Sequence, residues 1–175
     1  MKIRKYKLSS GVTIIELIIS LAIFSFILLV VVSFLVLTNT SNTRSKANRE
    51  AQENARRVLD KITYEVRNAK NIYTPTTTSN QLSLKTTKYL PFDENYTFID
   101  FFICGADLCL KKESQNPIIL NSDSVVISSI LFTQIMNGTI PSLQINLVVS
   151  YKNPNNNPVS AVVTNLTSTV SLRSN

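Results

Sequence analysis

The spacing of apolar residues changes twice along the chain, and each change marks a different kind of element. From Leu17 to Leu37 no position carries a charge, and Leu, Ile, Val and Phe dominate without an intervening proline or glycine. A helix over that run would span about 31 Å, close to the thickness of a hydrocarbon core. An all-round apolar helix must be buried in protein or in lipid, and a soluble domain of this size rarely encloses one. The next stretch, TNTSNT (38–43), is polar and made of weak helix formers. Because it lacks proline and glycine, continuation of the helix is preferred over a local loosening.

From Arg44 the apolar positions step by three or four: Ala47, Ala51, Ala55, Val58, Ile62, Val66 and Ala69. They form one narrow stripe of an amphipathic helix. Arg49, Glu50, Glu53, Arg56, Arg57, Asp60 and Lys61 mostly fill the other face. That face is either solvated or open to salt bridges with another subunit. Such a stripe needs a sheet to cover.

After Tyr73 the pattern changes again, and TPTTTSN is expected to break the helix at Pro75. Leu82 and Leu84 alternate in a short strand. YTFIDFFIC is apolar on both faces apart from Asp100, which suits a central strand. GADL turns the chain, and CLKKE returns as its hairpin partner. Ser124 to Met136 reads as one or two strands, with Asn137-Gly138 as a turn. Leu143, Ile145, Leu147, Val149 and Tyr151 then share one face of a half-buried strand. NPNNNP is a polar loop, and Val162, Leu166, Val170 and Leu172 mark the inner face of a last strand. A helix followed by antiparallel strands gives an α+β class, with the amphipathic half of the helix on a C-terminal β-sheet head.

Composition narrows the chemistry. Histidine is absent, so zinc sites and His-based acid–base catalysis lose their usual residue. Gly11, Gly105 and Gly138 are too far apart for a phosphate-binding glycine loop. No catalytic constellation is present, and no cofactor or metal is expected. Lys2, Arg4, Lys5 and Lys7 carry more than half of the net charge of +7. The basic balance therefore speaks to membrane topology, with the N-terminus cytoplasmic by the positive-inside rule. Lys85, Lys88, Lys111 and Lys112 are the obvious cations of the head.

The apolar run contains one carboxylate, Glu16, near its start. At SSGVTIIEL the basic leader, Gly11, Val12, Thr13 and Glu16 stand in the register of a prepilin leader. The chain resembles type IV pilins and type II secretion pseudopilins over this segment. The resemblance implies a pilin-like fold, with residues 1–11 a leader that a prepilin peptidase removes. It further implies cleavage between Gly11 and Val12 and N-methylation of Val12. The family most often has phenylalanine after the cut, where this chain has Val12. The remaining divisions are then 12–37 as the transmembrane half of the helix, 38–73 as its amphipathic half and 74–175 as the head.

By the same resemblance, helices pack side by side in a filament, and Glu16 of one subunit neutralises the new amine of its neighbour. Breaking a desolvated pair leaves a bare charge, so register errors are penalised more than the pair itself stabilises. A plainer reading has Glu16 merely snorkelling to the membrane interface. ENARRVLDKITYEVRNAKNI, with the strand order that follows, is similar to the J-type minor pseudopilins and W-type minor pilins. The implied partners are other pilin or pseudopilin subunits, the prepilin peptidase, an inner-membrane assembly platform, and lipid before assembly. The head would be periplasmic or extracellular.

Cys104 and Cys109 flank a four-residue turn and could meet across the hairpin. A disulfide there would contribute roughly 2 kcal/mol, less any strain; the alternative is a pair of free thiols. The leading expectation is a structural filament subunit. A binding module would instead capture DNA or a surface ligand through Lys85, Lys88, Lys111 and Lys112, with nucleic acid the less favoured partner. A non-polymerising single-pass receptor would keep the Gly11–Val12 bond and tolerate Glu16→Ala.

Overall fold

The computed structural model describes residues 11–90, 92–113, 115–137 and 140–173. The leader cations Lys2, Arg4, Lys5 and Lys7 and the turn residue Gly138 lie outside them. The chain divides into two compact units, Met1–Asn42 and Thr43–Asn175. Helix α1, Ile14–Asn68, contributes to both. It runs unbroken through the polar stretch 38–43, as preferred from the sequence.

Within the first unit the helix satisfies its own polar side chains. Ser20, Ser25, Ser33 and Thr38 donate their hydroxyls to the backbone carbonyls of Leu17, Leu21, Leu29 and Phe34 at 2.8–2.9 Å. Thr40 does the same toward Leu37 at 2.9 Å. In lipid, where no water can serve these groups, such bonds remove their desolvation penalty. The single helix is long and apolar enough to cross a bilayer, and its apolar window is entirely unburied by the rest of the chain.

The second unit begins where the apolar stripe begins. All seven stripe residues from Ala47 to Ala69 are buried. Asn54, Leu59 and Glu65 are buried beside them, on positions the periodic pattern did not mark. The helix ends at Asn68, not at Tyr73 as the sequence suggested. Asn71–Ile72 has instead become strand β1, because it finds a partner in β2. The Ala69 N–H bonds to the Val66 carbonyl and the Lys70 N–H to the Lys85 carbonyl, so the sheet takes over the backbone before Pro75 is reached.

The strands form two antiparallel sheets where one was expected. The first has the order β1 (Asn71–Ile72), β2 (Gln81–Thr86), β3 (Thr97–Cys104), β4 (Asp107–Lys112) and β5 (Ile118–Ile119). The second comprises β6 (Val125–Asn137), β7 (Ile140–Tyr151) and β8 (Val163–Ser171). Strand β3 is central, as its two-sided apolar pattern suggested, and Phe101 is fully buried on it. The β6 backbone meets the loops bordering the first sheet at two points, where the Ile127 N–H reaches the Ala106 carbonyl in the β3–β4 turn and the Phe132 N–H reaches the Ser79 carbonyl ahead of β2. Both sheets and the second half of α1 share one core, including Ile62, Leu84, Phe101, Ile130 and Leu147. The class is α+β, consistent with a pilin-like architecture, with the helix packed on antiparallel sheet.

Strand β6 is one strand carrying a bulge, which explains why its pattern was ambiguous. Val125 and Ile127 are buried, then Ile130 and Phe132. The phase changes because Ile127 faces Val149 while Ser129 faces Val148, leaving Ser128 as the extra residue. Strand β7 alternates cleanly, with Leu143, Ile145, Leu147 and Val149 buried and Tyr151 half-buried.

Candidate functional site

The candidate assembly site lies at the start of α1. Ile14 is the first helical residue, so Thr13 occupies the N-cap and Glu16 the third helical position. The Thr13 hydroxyl accepts from the Glu16 backbone N–H at 3.3 Å. The Thr13 carbonyl accepts the first helical bond, from the Leu17 N–H at 3.1 Å. Thr-x-x-Glu is the signature of a capping box, a local signal that the sequence reading passed over. The carboxylate also sits in the first turn, where the helix dipole favours negative charge. The bond to Thr13 uses the Glu16 backbone N–H, and the carboxylate's own local contribution is its place in the first turn. Val12 is largely exposed just ahead of the cap.

Beyond Glu16 the helix presents apolar side chains in every direction. Phe24 and Phe26 are 64% and 69% exposed. No charged residue occurs between Glu16 and Arg44. A surface of this size and composition needs lipid or other apolar helices to cover it.

In the second unit Cys104 and Cys109 form a disulfide, with Cα atoms 5.9 Å apart. The turn between them differs from the four-residue one expected. Cys104 faces Asp107, so Gly105 and Ala106 alone make the loop, and Gly105 takes φ 74°. Glycine with positive φ at the first of two loop positions is the pattern of a II′ hairpin. Cys109 faces Phe102. The bridge is therefore diagonal, running from Cys104 on β3 to the residue two positions beyond its partner Asp107 on β4.

The four head lysines do not converge. Lys85 and Lys111 face Phe98 and Asp100, which share one face of β3, whereas Lys112 faces Ile99 on the other. Lys88 lies in the loop after β2. Three of them lie over rings: Lys85 on Tyr96 at 3.4 Å, Lys88 on Tyr64 at 4.4 Å and Lys112 on Tyr89 at 3.7 Å. These contacts hold the ammonium groups against the unit's own surface.

Two buried polar side chains on α1 were missed. Asn54 accepts from the Ser122 backbone N–H at 3.0 Å and donates to the Glu50 carbonyl at 2.9 Å, fastening the helix to the segment that leads into β6. Glu65, 1% exposed, pairs with Lys61 at 2.7 Å, the one salt bridge among the described residues. The Tyr89 hydroxyl also donates to Glu65 Oε1 at 3.3 Å, while Oε2 has no partner. The hydrogen bond that Lys61 donates to the Glu65 carboxylate holds its ammonium above its ordinary pKa. Desolvation, followed by the Glu65 charge, raises Tyr89. Their signal was weak: Lys61 and Glu65 are four apart, but nothing in the spacing marks Glu65 as buried.

Among the described residues no group of three or more His, Cys, Asp or Glu could hold a metal. No family model, curated protein or solved structure matches this chain.

Proposed function

We propose that this chain is a minor pilin or pseudopilin, a structural subunit that enters a type IV pilus or type II secretion-like filament through the first half of α1. The observation that carries this reading is the uncovered apolar helix with a lone carboxylate in its first turn. The resemblance of SSGVTIIEL to prepilin leaders supports it. A prepilin peptidase would cut between Gly11 and Val12 and methylate the amine of Val12. Before assembly the subunit would sit in the inner or cytoplasmic membrane with its N-terminus inside, docked to the assembly platform. The second unit would lie outside and meet partner subunits, in the manner of the J-type and W-type minor subunits.

The chemistry of the cut gives Glu16 its role. Cleavage creates an ammonium group at Val12, immediately ahead of the positive end of the helix dipole. That position disfavours a cation, and burial among apolar helices disfavours it further. A carboxylate from an adjacent subunit would relieve both. Apolar contact between helices then supplies most of the attraction, and the charge pair selects the stagger.

The capping box supplies the right variant for a test. Glutamine can replace glutamate in such a box, so Glu16→Gln removes the charge and keeps the helix start. The expected result is a subunit still cut and still in the membrane, but lost from purified filaments. Intact-mass measurement should give a mature chain starting at methylated Val12, and a chain retaining Met1–Gly11 in cells lacking the peptidase. Normal incorporation of Glu16→Gln would overturn the register mechanism. An uncut chain in peptidase-competent cells would overturn the assignment itself.

A further inference from the structure

A second feature, independent of the assembly reading, lies where three parts of the second unit meet. Arg67 in the last turn of α1, Lys70 before β1, Lys88 after β2 and Arg173 after β8 line a cavity of about 470 Å³ with Asn68 and Thr87. A second cavity of about 410 Å³ shares Arg67, Asn68 and Arg173. Among the described residues no aspartate or glutamate lines either one. The salt bridge found among the described residues involves none of these cations.

The helix end explains only part of this charge. A helix C-terminus carries roughly half a negative charge, which accounts for Arg67 and the adjoining Lys70 but not for Lys88 and Arg173, brought from other segments. Lys88 contributes charge rather than a direct contact, since its ammonium is already held 3.0 Å from the Tyr64 hydroxyl. Two guanidinium groups offer planar forks suited to phosphate or carboxylate oxygens, and the ammonium groups add point charge. A compact ligand must then bring several negative charges in a short length. A chain of phosphates does so, whereas a dicarboxylate brings fewer. No aromatic side chain among the described residues lines the cavity, which sets it apart from the stacking platform of a single-strand nucleic-acid site.

We infer that this cavity binds a phosphate-bearing polyanion, recognised through its phosphates, with Arg67 and Arg173 as the principal contacts. The test is calorimetric titration of the full chain in nonionic detergent with sodium tripolyphosphate at low salt. One saturable site is expected, weakened by added salt. Arg67→Gln and Arg173→Gln should each weaken it about tenfold or more, since each removes charge-assisted hydrogen bonds. Lys111→Gln, on β4, should leave it unchanged. Arg67 and Arg173 are exposed, so the unfolding midpoint of each variant should match the parent and exclude misfolding.

Cardiolipin, whose headgroup carries two phosphates, doped into the micelles separates the sources of the phosphate. Displacement of tripolyphosphate by the lipid, with the same dependence on Arg67 and Arg173, assigns the site to a headgroup. Retention assigns it to a free or polymeric phosphate. No saturable binding, or equal weakening by Lys111→Gln, would overturn the inference. A single-stranded oligonucleotide that binds more tightly than a polyphosphate of equal charge would overturn it in favour of nucleic acid.

Discussion

Helix α1 keeps one backbone conformation through two opposite side-chain environments. Before residue 43 its apolar residues are exposed on all sides, and none of the described residues buries them. After residue 43 the apolar stripe is narrow, built partly of alanine, and completely buried. The difference lies in what completes each half. The second half is satisfied by two sheets that the same chain supplies. The first can be satisfied only by lipid or by other chains. Small alanines let the helix backbone lie close to the strands. Large Leu, Ile and Phe residues, projecting all round, cannot all face one partner of any single shape.

The same substitution placed in each half tests this contrast most strongly. Phe101→Ala empties a fully buried site on β3 and should destabilise the second unit by about 3–5 kcal/mol. Phe26→Ala, at a site 69% exposed in the chain, should leave that transition within about 0.5 kcal/mol. Denaturant unfolding followed by tyrosine fluorescence reads the second unit selectively, since every tyrosine among the described residues belongs to it. Equal effects from the two variants would mean that the halves are not separately completed.

A smaller effect should appear in the reverse sense. Ile27→Lys puts a charge near the middle of the apolar run, where insertion is disfavoured by about 3 kcal/mol. The protein should shift from the membrane pellet to the soluble or degraded fraction while the second unit unfolds at its usual denaturant concentration. Unchanged retention after alkaline extraction would break the membrane reading of the first half.

Legibility in the sequence differed between the two halves for the same reason. A long uncharged run and a three-to-four residue stripe are local patterns, and both were readable because no distant partner is needed to define them. The central position of β3 was readable too from its two-sided apolar sequence, although only the face of Thr97, Ile99 and Phe101 is fully buried. Features set by distant contacts were not. The end of α1 at Asn68 depends on Asn71–Ile72 pairing with β2. The division into two sheets depends on β6 meeting the loops bordering the first sheet at isolated points rather than pairing along a ladder. The bulge at Ser128 shifts the phase of burial mid-strand, which a strict alternation cannot express. At the candidate site, Glu16 stood out as a charge in an apolar run, whereas its capping bond with Thr13 was overlooked although the Thr-x-x-Glu spacing was available. The cationic cavity joins Arg67 to Arg173 across the whole second unit, so no local pattern could have assembled it.

The finest test concerns the one place where the buried stripe admits a charge. Glu65 is enclosed and its Oε1 is served by Lys61 and Tyr89, yet Oε2 has no partner. Removing the cation should therefore hurt more than removing the anion. Lys61→Met leaves a bare carboxylate and should destabilise by about 2 kcal/mol, below the full penalty for a buried pair because Lys61 is about a third exposed. Glu65→Gln should lose less, and the double variant should recover part of the Lys61→Met loss. The pH response follows from the two raised values. Lys61 and Tyr89 both bind their protons more tightly in the fold than in the unfolded chain. Their contribution is complete below their unfolded values and disappears as pH rises through the folded ones, so stability should fall above about pH 10. Glu65→Gln removes the main cause of the Lys61 shift and should make that alkaline fall shallower, leaving the part that desolvation gives Tyr89. A parent protein with no alkaline decline, or a Lys61→Met variant milder than Glu65→Gln, would show that this carboxylate is solvated after all and that the second half of the helix is less completely enclosed than its alanine stripe implies.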